Sequence, residues 1–318
     1  MSQASSPRLD PATIRRTLRQ SGLHARHSLS QNFLVDVDVL EAILAEAAPR
    51  PGQNILEIGP GLGFLTDGLV AAGATVTAVE IDPGLAGILR GRFAAALEQP
   101  PGQAAGRPGG PGSLRLIEGD ALDQPLTRLL PEPYDVVANL PYHITSPILH
   151  RLLGEPPRPG RLVLMVQREV AERIAAKPGG LSYLSVFVQY HATVRIARRV
   201  PPGAFEPAPA VDSAVIVIEP FAEDDRLDPP TEDALWRLVQ AAFRERRKMI
   251  HNVLTRQLPL PADRIAAALG DAGIDPDRRP QTLAVGEWIR LLEAIGPIGS
   301  DERGRRAPRE TNPPGTSG

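Results

Sequence analysis

The chain of 318 residues contains no cysteine. Disulfides, thiolate metal sites and a cysteine nucleophile are excluded together, and a reducing compartment is compatible with that absence. Lysine is almost missing: Lys177 and Lys248 are the only two, so nearly every base is arginine. That bias suits bidentate contact with phosphate or guanine, and it equally follows from genome composition. No stretch of about 18 apolar residues runs without a charge, and the start MSQASSPRLDPATIRR lacks the apolar centre of a secretory signal. The expectation is a cytoplasmic protein with no membrane partner. A Ser/Arg-rich transit peptide is the competing reading, opposed by basic residues that run directly into folded-looking sequence.

Proline and glycine, by contrast, are plentiful, with 34 and 29 copies, against roughly 12% together in average usage. That much punctuation excludes a long coiled coil or an all-helical solenoid. A hydrophobic share of 42% with 23% charged residues is ordinary for a chain that buries a core. The formal charge of −2 conceals a basic arm, because Arg8, Arg15, Arg16, Arg19 and Arg26 face the single acid Asp10 between residues 8 and 27.

Three segments read as unstructured: residues 1–10, the Pro/Gly run 99–113 and the tail 298–318. The middle one reads as a loop insertion, since strand-like sequence resumes at Leu114. Between them the apolar runs Asn54–Ile58, Thr75–Ile81, Leu114–Glu118, Asp135–Asn139 and Leu162–Gln167 alternate with helical segments, the pattern of a parallel α/β sheet covered on both faces. Two further runs, His191–Val200 and Ser213–Glu219, have no helix between them and read as an antiparallel pair closing a seven-stranded, mostly parallel sheet. Past Phe221 the spacing predicts helices over Thr231–Phe243, Arg244–Gln257, Ala262–Ala272 and Val285–Ile295, the second starting with Arg244, Arg246, Arg247 and Lys248. The expected organisation is an α/β domain over 11–220 followed by a small all-helical domain over 221–297.

The first strand ends in ILEIGPGLGF, with Gly59, Gly61 and Gly63 at alternate positions. Glycine lets the backbone approach a ligand closely, and a turn after the first strand lies at the carboxyl edge where open α/β sheets bind ligands. Such turns also serve packing, so the motif alone is weak. A P-loop fails because no Lys-Ser/Thr ends the turn, and the dinucleotide fingerprint fails because Phe64 stands where its last glycine belongs. Instead there are acids at three successive strand ends: Glu57, Glu80, placed to accept ribose hydroxyls, and Asp120, placed to accept an adenine amine. Repulsion among them disfavours a phosphate and suits an uncharged nucleoside joined to a cation, as in S-adenosylmethionine. Taken singly, each acid is equally well a solvated strand-end carboxylate.

After the fourth strand, Asn139, Leu140, Pro141 and Tyr142 form a turn at the same edge. Taken alone it is an Asn-x-Pro turn with a half-buried aromatic. Beside the glycine turn it suits methyl transfer to an adenine amine, whose lone pair is delocalised into the ring. The Asn139 amide oxygen and the Leu140 carbonyl would bind its hydrogens and draw it toward tetrahedral geometry. Pro141 would hold that carbonyl, and Tyr142 would offer a face for stacking, worth about 1–3 kcal/mol per base.

Gln31-Asn32-Phe33-Leu34, EIGPGLG, Glu80, Gly119-Asp120-Ala121, Asn139-Leu140-Pro141-Tyr142, VPPGAFEPAPAVDSAV, AFRERRK and IDPDRRPQTL together resemble the ribosomal RNA adenine N6-dimethyltransferases, most nearly the bacterial small-subunit type. The resemblance spans roughly residues 23–295. It implies a Rossmann-like class I methyltransferase sheet, S-adenosylmethionine as cofactor, no metal, and N6-dimethylation of two adjacent adenosines in a hairpin near the 3′ end of 16S rRNA. By the same resemblance Asn32 and Leu34 would close over the methionine end of the cofactor, Gly59, Gly61 and Gly63 would line it, Glu80 would hold its ribose and Asp120 its adenine. Asn139 would border cofactor and target amine, and Tyr142 and Phe205 would sandwich the extruded base. Arg244, Arg246, Arg247, Lys248 and the N-terminal arm would contact RNA phosphates, although a solvated charged face explains any single arginine. Ser30 departs from the family, which usually has glycine there. A monomer is the expected state. Two rivals stand beside this reading: a large-subunit dimethyltransferase of the antibiotic-resistance type, from which IDPDRRPQTL points away, and a non-catalytic RNA-binding assembly or transcription factor on the same fold.

Overall fold

The computed structural model describes residues 12, 14–16, 32–97, 112–222 and 226–296. The expectations for 1–10, for nearly all of 99–113, for 298–318, and for Arg8, Arg19, Arg26, Ser30 and Gln31 lie outside those residues. The chain falls into two compact units, one ending at Arg226 and the other starting at Leu227.

The first unit is built on a seven-stranded sheet. Its strands are β2 (Asn54–Ile58), β3 (Thr75–Glu80), β4 (Ser113–Glu118), β5 (Tyr134–Asn139), β6 (Leu162–Gln167), β7 (Ala192–Val200) and β9 (Ser213–Pro220), in the order β4-β3-β2-β5-β6-β9-β7. Strands β2 to β6 pair in parallel, and β9 inserts antiparallel between β6 and β7. Ile55, Leu56, Val136, Leu164 and Ile216 are buried on both sides of the sheet, as strands covered by helices require. The chain winds outward from β2 through β3 to β4 and then returns to β5. The crevice at that reversal, between the carboxyl ends of β2 and β5, is where open α/β sheets take ligands.

Helices α1 (Val37–Ala47), α2 (Phe64–Ala71), α3 (Pro83–Arg92), α4 (Thr145–Gly154), α5 (Arg168–Ile174) and α6 (Tyr183–His191) belong to the same unit. Local chemistry starts two of them. Asp36 caps α1 by accepting the Val39 N–H at 3.1 Å, and Asp82 caps α3, which has proline in its first turn. Helix α1 turns Val39, Ile43 and Ala47, spaced by four, into the core with Ile55, Val137 and Val163. Truncating the fully buried Ile43 to alanine would cost about 2–5 kcal/mol.

The run expected as a strand from His191 starts one residue later. His191 closes α6, its ring Nδ1 bonded to the Phe187 carbonyl at 2.8 Å and its ring 4.4 Å from that of Phe187. A second, two-stranded ladder joins β1 (Phe33–Leu34) to β8 (Phe205–Glu206), pairing Leu34 with Phe205. The Ala204 carbonyl accepts both Val35 N–H and Asp36 N–H, which fastens the segment before α1 to the segment before β8.

Among the described residues, the helices of the second unit are α7 (Pro229–Phe243), α8 (Ile250–Gln257), α9 (Ala262–Asp271) and α10 (Val285–Ile295). Leu238, Val253, Leu254, Leu269 and Trp288 are buried, and the Phe243 and Trp288 rings lie 5.9 Å apart. Arg278 binds the Glu287 carboxylate and the Thr282 carbonyl, holding the Asp275–Thr282 turn to α10. The helix expected to begin at Arg244 is corrected: Arg244, Arg246, Arg247 and Lys248 form a turn, and α8 starts after them at Ile250. The macrodipole supplies the reason, since four cations in a first turn would face the positive end of the helix, whereas here they follow the negative end of α7.

Candidate active site

An open cleft lies at the crevice between the carboxyl ends of β2 and β5, the place where open α/β sheets take ligands. Asn32, Leu34, Glu57, Gly59, Gly61, Glu80, Asn139, Leu140, Pro141 and Tyr142 line it, so ten of the residues singled out in the sequence meet at one place. A smaller adjoining cleft takes in Asp120 with Gly119 and Ala121, and shares Gly59, Ile81 and Pro141 with the first. Together the two form a trough along the carboxyl ends of β2, β3, β4 and β5.

The glycine turn is shaped by where its amides go. Gly59 N–H donates to the Val79 carbonyl at 2.9 Å, Gly61 N–H to Glu80 Oε2 at 3.0 Å, and Gly63 N–H to the Pro60 carbonyl at 2.9 Å. A phosphate-cradling turn aims such amides at the ligand; here all three are used within the protein. The turn therefore offers close backbone approach without an anion nest. At Gly61, with φ of 59°, a Cβ would come within 3.3 Å of the Phe33 ring, so a side chain there would be strained in its backbone and would press on that ring.

Glu80 is 3% exposed, and its carboxylate accepts from Gly61 N–H and, at 2.9 Å, from Asp82 N–H. Burial raises its pKa against the pull of these two amides. Each oxygen retains a lone pair for a ligand hydroxyl. Asp120 accepts from Leu122 N–H at 2.8 Å. Glu57 departs from the expectation of three charged acids. It is 1% exposed, receives the Thr66 hydroxyl at 2.7 Å, and burial pushes its pKa from 4.5 to about 8. Burial thus favours the protonated carboxyl, because ionising it would strand a charge away from water. Exclusion of phosphate thus rests on the engaged amides more than on mutual repulsion of carboxylates.

Asn139 ends β5, and its Nδ2 donates to the Asn32 carbonyl at 3.3 Å. That bond turns the amide so that Oδ1 is left as an acceptor. Leu140 N–H is held by the Met165 carbonyl at 3.1 Å, and Pro141 follows with φ −56° and ψ 129°. Tyr142 opens a 3-10 turn, Tyr142–Ile144, that leads into α4. Burial raises the pKa of its phenol, which shares a 2.7 Å hydrogen bond with Ser213 Oγ.

Two residues are placed differently from expectation. Gly63 does not line the cleft. It caps α2 with φ of 80°, and a Cβ there would meet Phe93 at 2.6 Å and Leu89 at 2.7 Å, so it is required for packing. Phe205 is 3% exposed in the core cluster with Leu34, Val200 and Ala204, and the structure does not bring it into the cleft beside Tyr142. Arg244 donates to Gln257 Oε1 at 3.0 Å, while Arg246, Arg247 and Lys248 are exposed in the second unit. Of the basic arm, Arg15 pairs with Glu206 at 2.8 Å. The sequence reading missed Phe33, Leu62, Phe64, Ile81 and Leu85 in the main cleft and His143 in the smaller one. Ile81, read from the sequence as the last residue of a strand, is exposed directly after the strand-end acid Glu80.

The chain is similar to known proteins over most of its length. A 42% identical relative, the ribosomal RNA small subunit methyltransferase A of Geobacter sulfurreducens, aligns over 87% of this chain and 98% of its own length. The protein of the same name from Moorella thermoacetica is 42% identical over 89% of this chain and 98% of its own. Among solved structures, the 23S rRNA methyltransferase ErmE superposes with a TM-score of 0.64 at 29% identity, covering 83% of this chain and 99% of ErmE. A dimethyladenosine transferase from Plasmodium falciparum superposes with a TM-score of 0.67 at 25% identity, covering 82% and 96%. The sheet, its antiparallel closing pair and its helices are the mixed α/β fold of class I rRNA methyltransferases. The family described as ribosomal RNA adenine dimethylase matches residues 22–296, and the chain belongs to that family.

Proposed function

We propose that this chain is a small-subunit rRNA adenine dimethyltransferase, placing two methyl groups on N6 of each of two adjacent adenosines in the 3′-terminal hairpin of 16S rRNA during subunit maturation. The observation that carries the reading is the Asn139–Tyr142 turn at a cleft whose glycine amides are all engaged internally. S-adenosylmethionine, when bound, supplies the methyl group as a sulfonium cation. The residues present fit it: a trough with apolar walls, a buried carboxylate, and no free amide cradle for a diphosphate.

Glu80 would accept the ribose hydroxyls and Asp120 the adenine amine, while Asn32, Leu34, Gly59 and Gly61 would border the remainder. Asn139 Oδ1 and the Leu140 carbonyl would receive the two hydrogens of the target amine and localise its lone pair. The Tyr142 face would stack on the extruded base, offsetting an unstacking cost of about a few kcal/mol. No strong base is required, because the amine nitrogen turns acidic as it gains a methyl group. Phe205 would supply the opposite wall only after leaving its core position. In the helical unit, exposed Arg246, Arg247 and Lys248 would meet RNA phosphates. The protein would act as a monomer in the cytoplasm.

ErmE, a 23S rRNA methyltransferase, favours the rival large-subunit substrate, but at 29% identity against 42% for the small-subunit relatives. Primer extension on both ribosomal RNAs separates them, since dimethylated adenine stops reverse transcriptase. Labelled methyl transfer into immature small-subunit particles is the direct assay. Asn139→Ala and Tyr142→Ala should each lose most activity while binding the cofactor normally. Wild-type activity in both would overturn the assigned chemistry, and a wild-type protein with no transfer at all would favour the non-catalytic reading.

A further inference from the structure

Tyr142 has a backbone fixed by Pro141 and the 3-10 turn, but its ring retains two rotatable bonds that neither feature controls. A stacking wall must hold its orientation within roughly 10–20° to be useful. The one polar atom of the ring is the phenol oxygen, 2.7 Å from Ser213 Oγ.

Ser213 is an anomaly in its strand. It is 0% exposed and opens β9, where the next five residues, Ala214 to Ile218, are all apolar. A hydroxyl buried there costs free energy unless it is bonded, and its bond goes to a residue 71 positions away. The backbone of Ser213 is held from both sides, opposite Gln167 in β6 and Val200 in β7. Asp212, just before it, pairs through its side chain with Arg168 and accepts the Arg168 N–H on its carbonyl at 2.9 Å. The serine hydroxyl is thus among the most firmly placed groups beside the cleft.

We propose that Ser213 is a positioning residue for methyl transfer, its hydroxyl fixing the Tyr142 phenol so that the ring presents one face to the target adenine. This rests on the reading of Tyr142 as the stacking wall. Ser213 touches neither substrate nor cofactor in this account and acts only through the ring. Both groups are neutral hydroxyls, so the bond persists across the working pH range.

The test is a double-mutant cycle on the full chain, using immature small-subunit particles as substrate at saturating S-adenosylmethionine. Ser213→Ala should lower kcat about five- to tenfold, the loss of one hydrogen bond of ordinary strength, with cofactor affinity unchanged. Tyr142→Phe, which keeps the ring and leaves β9 untouched, should show the same loss in kcat with KM for particles within about twofold. The double variant should be no slower than either single one. Multiplying losses would overturn the proposal, and so would a full rate in Tyr142→Phe, a result that stands even if Ser213→Ala fails to fold. A full rate in Ser213→Ala with an inactive Tyr142→Ala would overturn the positioning role and leave the stacking wall standing. A full rate in Tyr142→Ala would remove both.

Discussion

Replacing Glu57 with glutamine isolates the electrostatics of the buried acid at the foot of the cleft. The carboxyl is 1% exposed, is held by Thr66, and burial raises its pKa from 4.5 to about 8. Between those two values the folded protein keeps a proton that the unfolded chain has released. Wild-type stability must therefore fall as pH rises through that window, by about 1.4 kcal/mol per pH unit from this one group. Glutamine has the size of the protonated acid, still accepts the Thr66 hydroxyl, and does not ionise. The stability difference between the two proteins should consequently move by about 2 kcal/mol in favour of Glu57→Gln between about pH 6 and about pH 8, the slope flattening as the folded pKa is reached. Groups common to both, Glu80 and His150 included, cancel to first order in that difference. Both tryptophans, Trp236 and Trp288, lie in the helical unit, so their fluorescence does not follow the unfolding of the sheet. Hydrogen exchange at the amides of β2, read as opening free energies across the pH series, does. Parallel pH profiles for the two proteins would mean that Glu57 is ionised when folded, and the desolvation argument would fail.

Other perturbations probe the same site and its support. Gly63→Ala forces a Cβ against Phe93 and Leu89 at positive φ and should destabilise the first unit by about 2–4 kcal/mol; a loss of cofactor affinity at unchanged stability would contradict its placement. Glu80→Gln should weaken S-adenosylmethionine binding about tenfold or more by calorimetry, because a charge-assisted pair of bonds is replaced by a neutral acceptor, and unchanged affinity would count against the ribose assignment. Arg278→Ala removes the bonds to Glu287 and Thr282 and should lower the stability of the helical unit by about 1–3 kcal/mol in tryptophan-monitored unfolding, with no shift speaking against its anchoring role.

Much of the fold was legible because parallel strands covered on both faces are unbroken apolar runs. Asn54–Ile58 and Leu162–Gln167 occupy the residues that pattern assigns them, and apolar spacing of three and four does the same for the helix Val285–Ile295. The misplaced boundaries have local causes. The apolar run from His191 is continuous with the strand, yet a bond to Phe187 gives His191 to the helix. The basic cluster at Arg244 has helical composition, yet the sign of the helix dipole keeps it out of the first turn of α8. The ladder of Phe33–Leu34 with Phe205–Glu206 could not be read at all, since two residues carry no periodicity and their partners are far apart in the chain.

What the sequence determined by itself was position along the chain: which residues stand at the carboxyl ends of β2, β3, β4 and β5, and hence that Gly59, Glu80, Asp120 and Asn139 share one edge. Strand ends are set by local pattern, and the edge follows from parallel winding. What only the tertiary structure decided was the state and direction of those groups. Glu57 holds its proton more tightly than a solvated acid because other elements exclude water from it. Gly61 N–H is spent on Glu80, Gly63 faces Phe93, and Phe205 lies in the core. Each outcome depends on desolvation or on a partner from another element, and neither can be read from the neighbours in the chain.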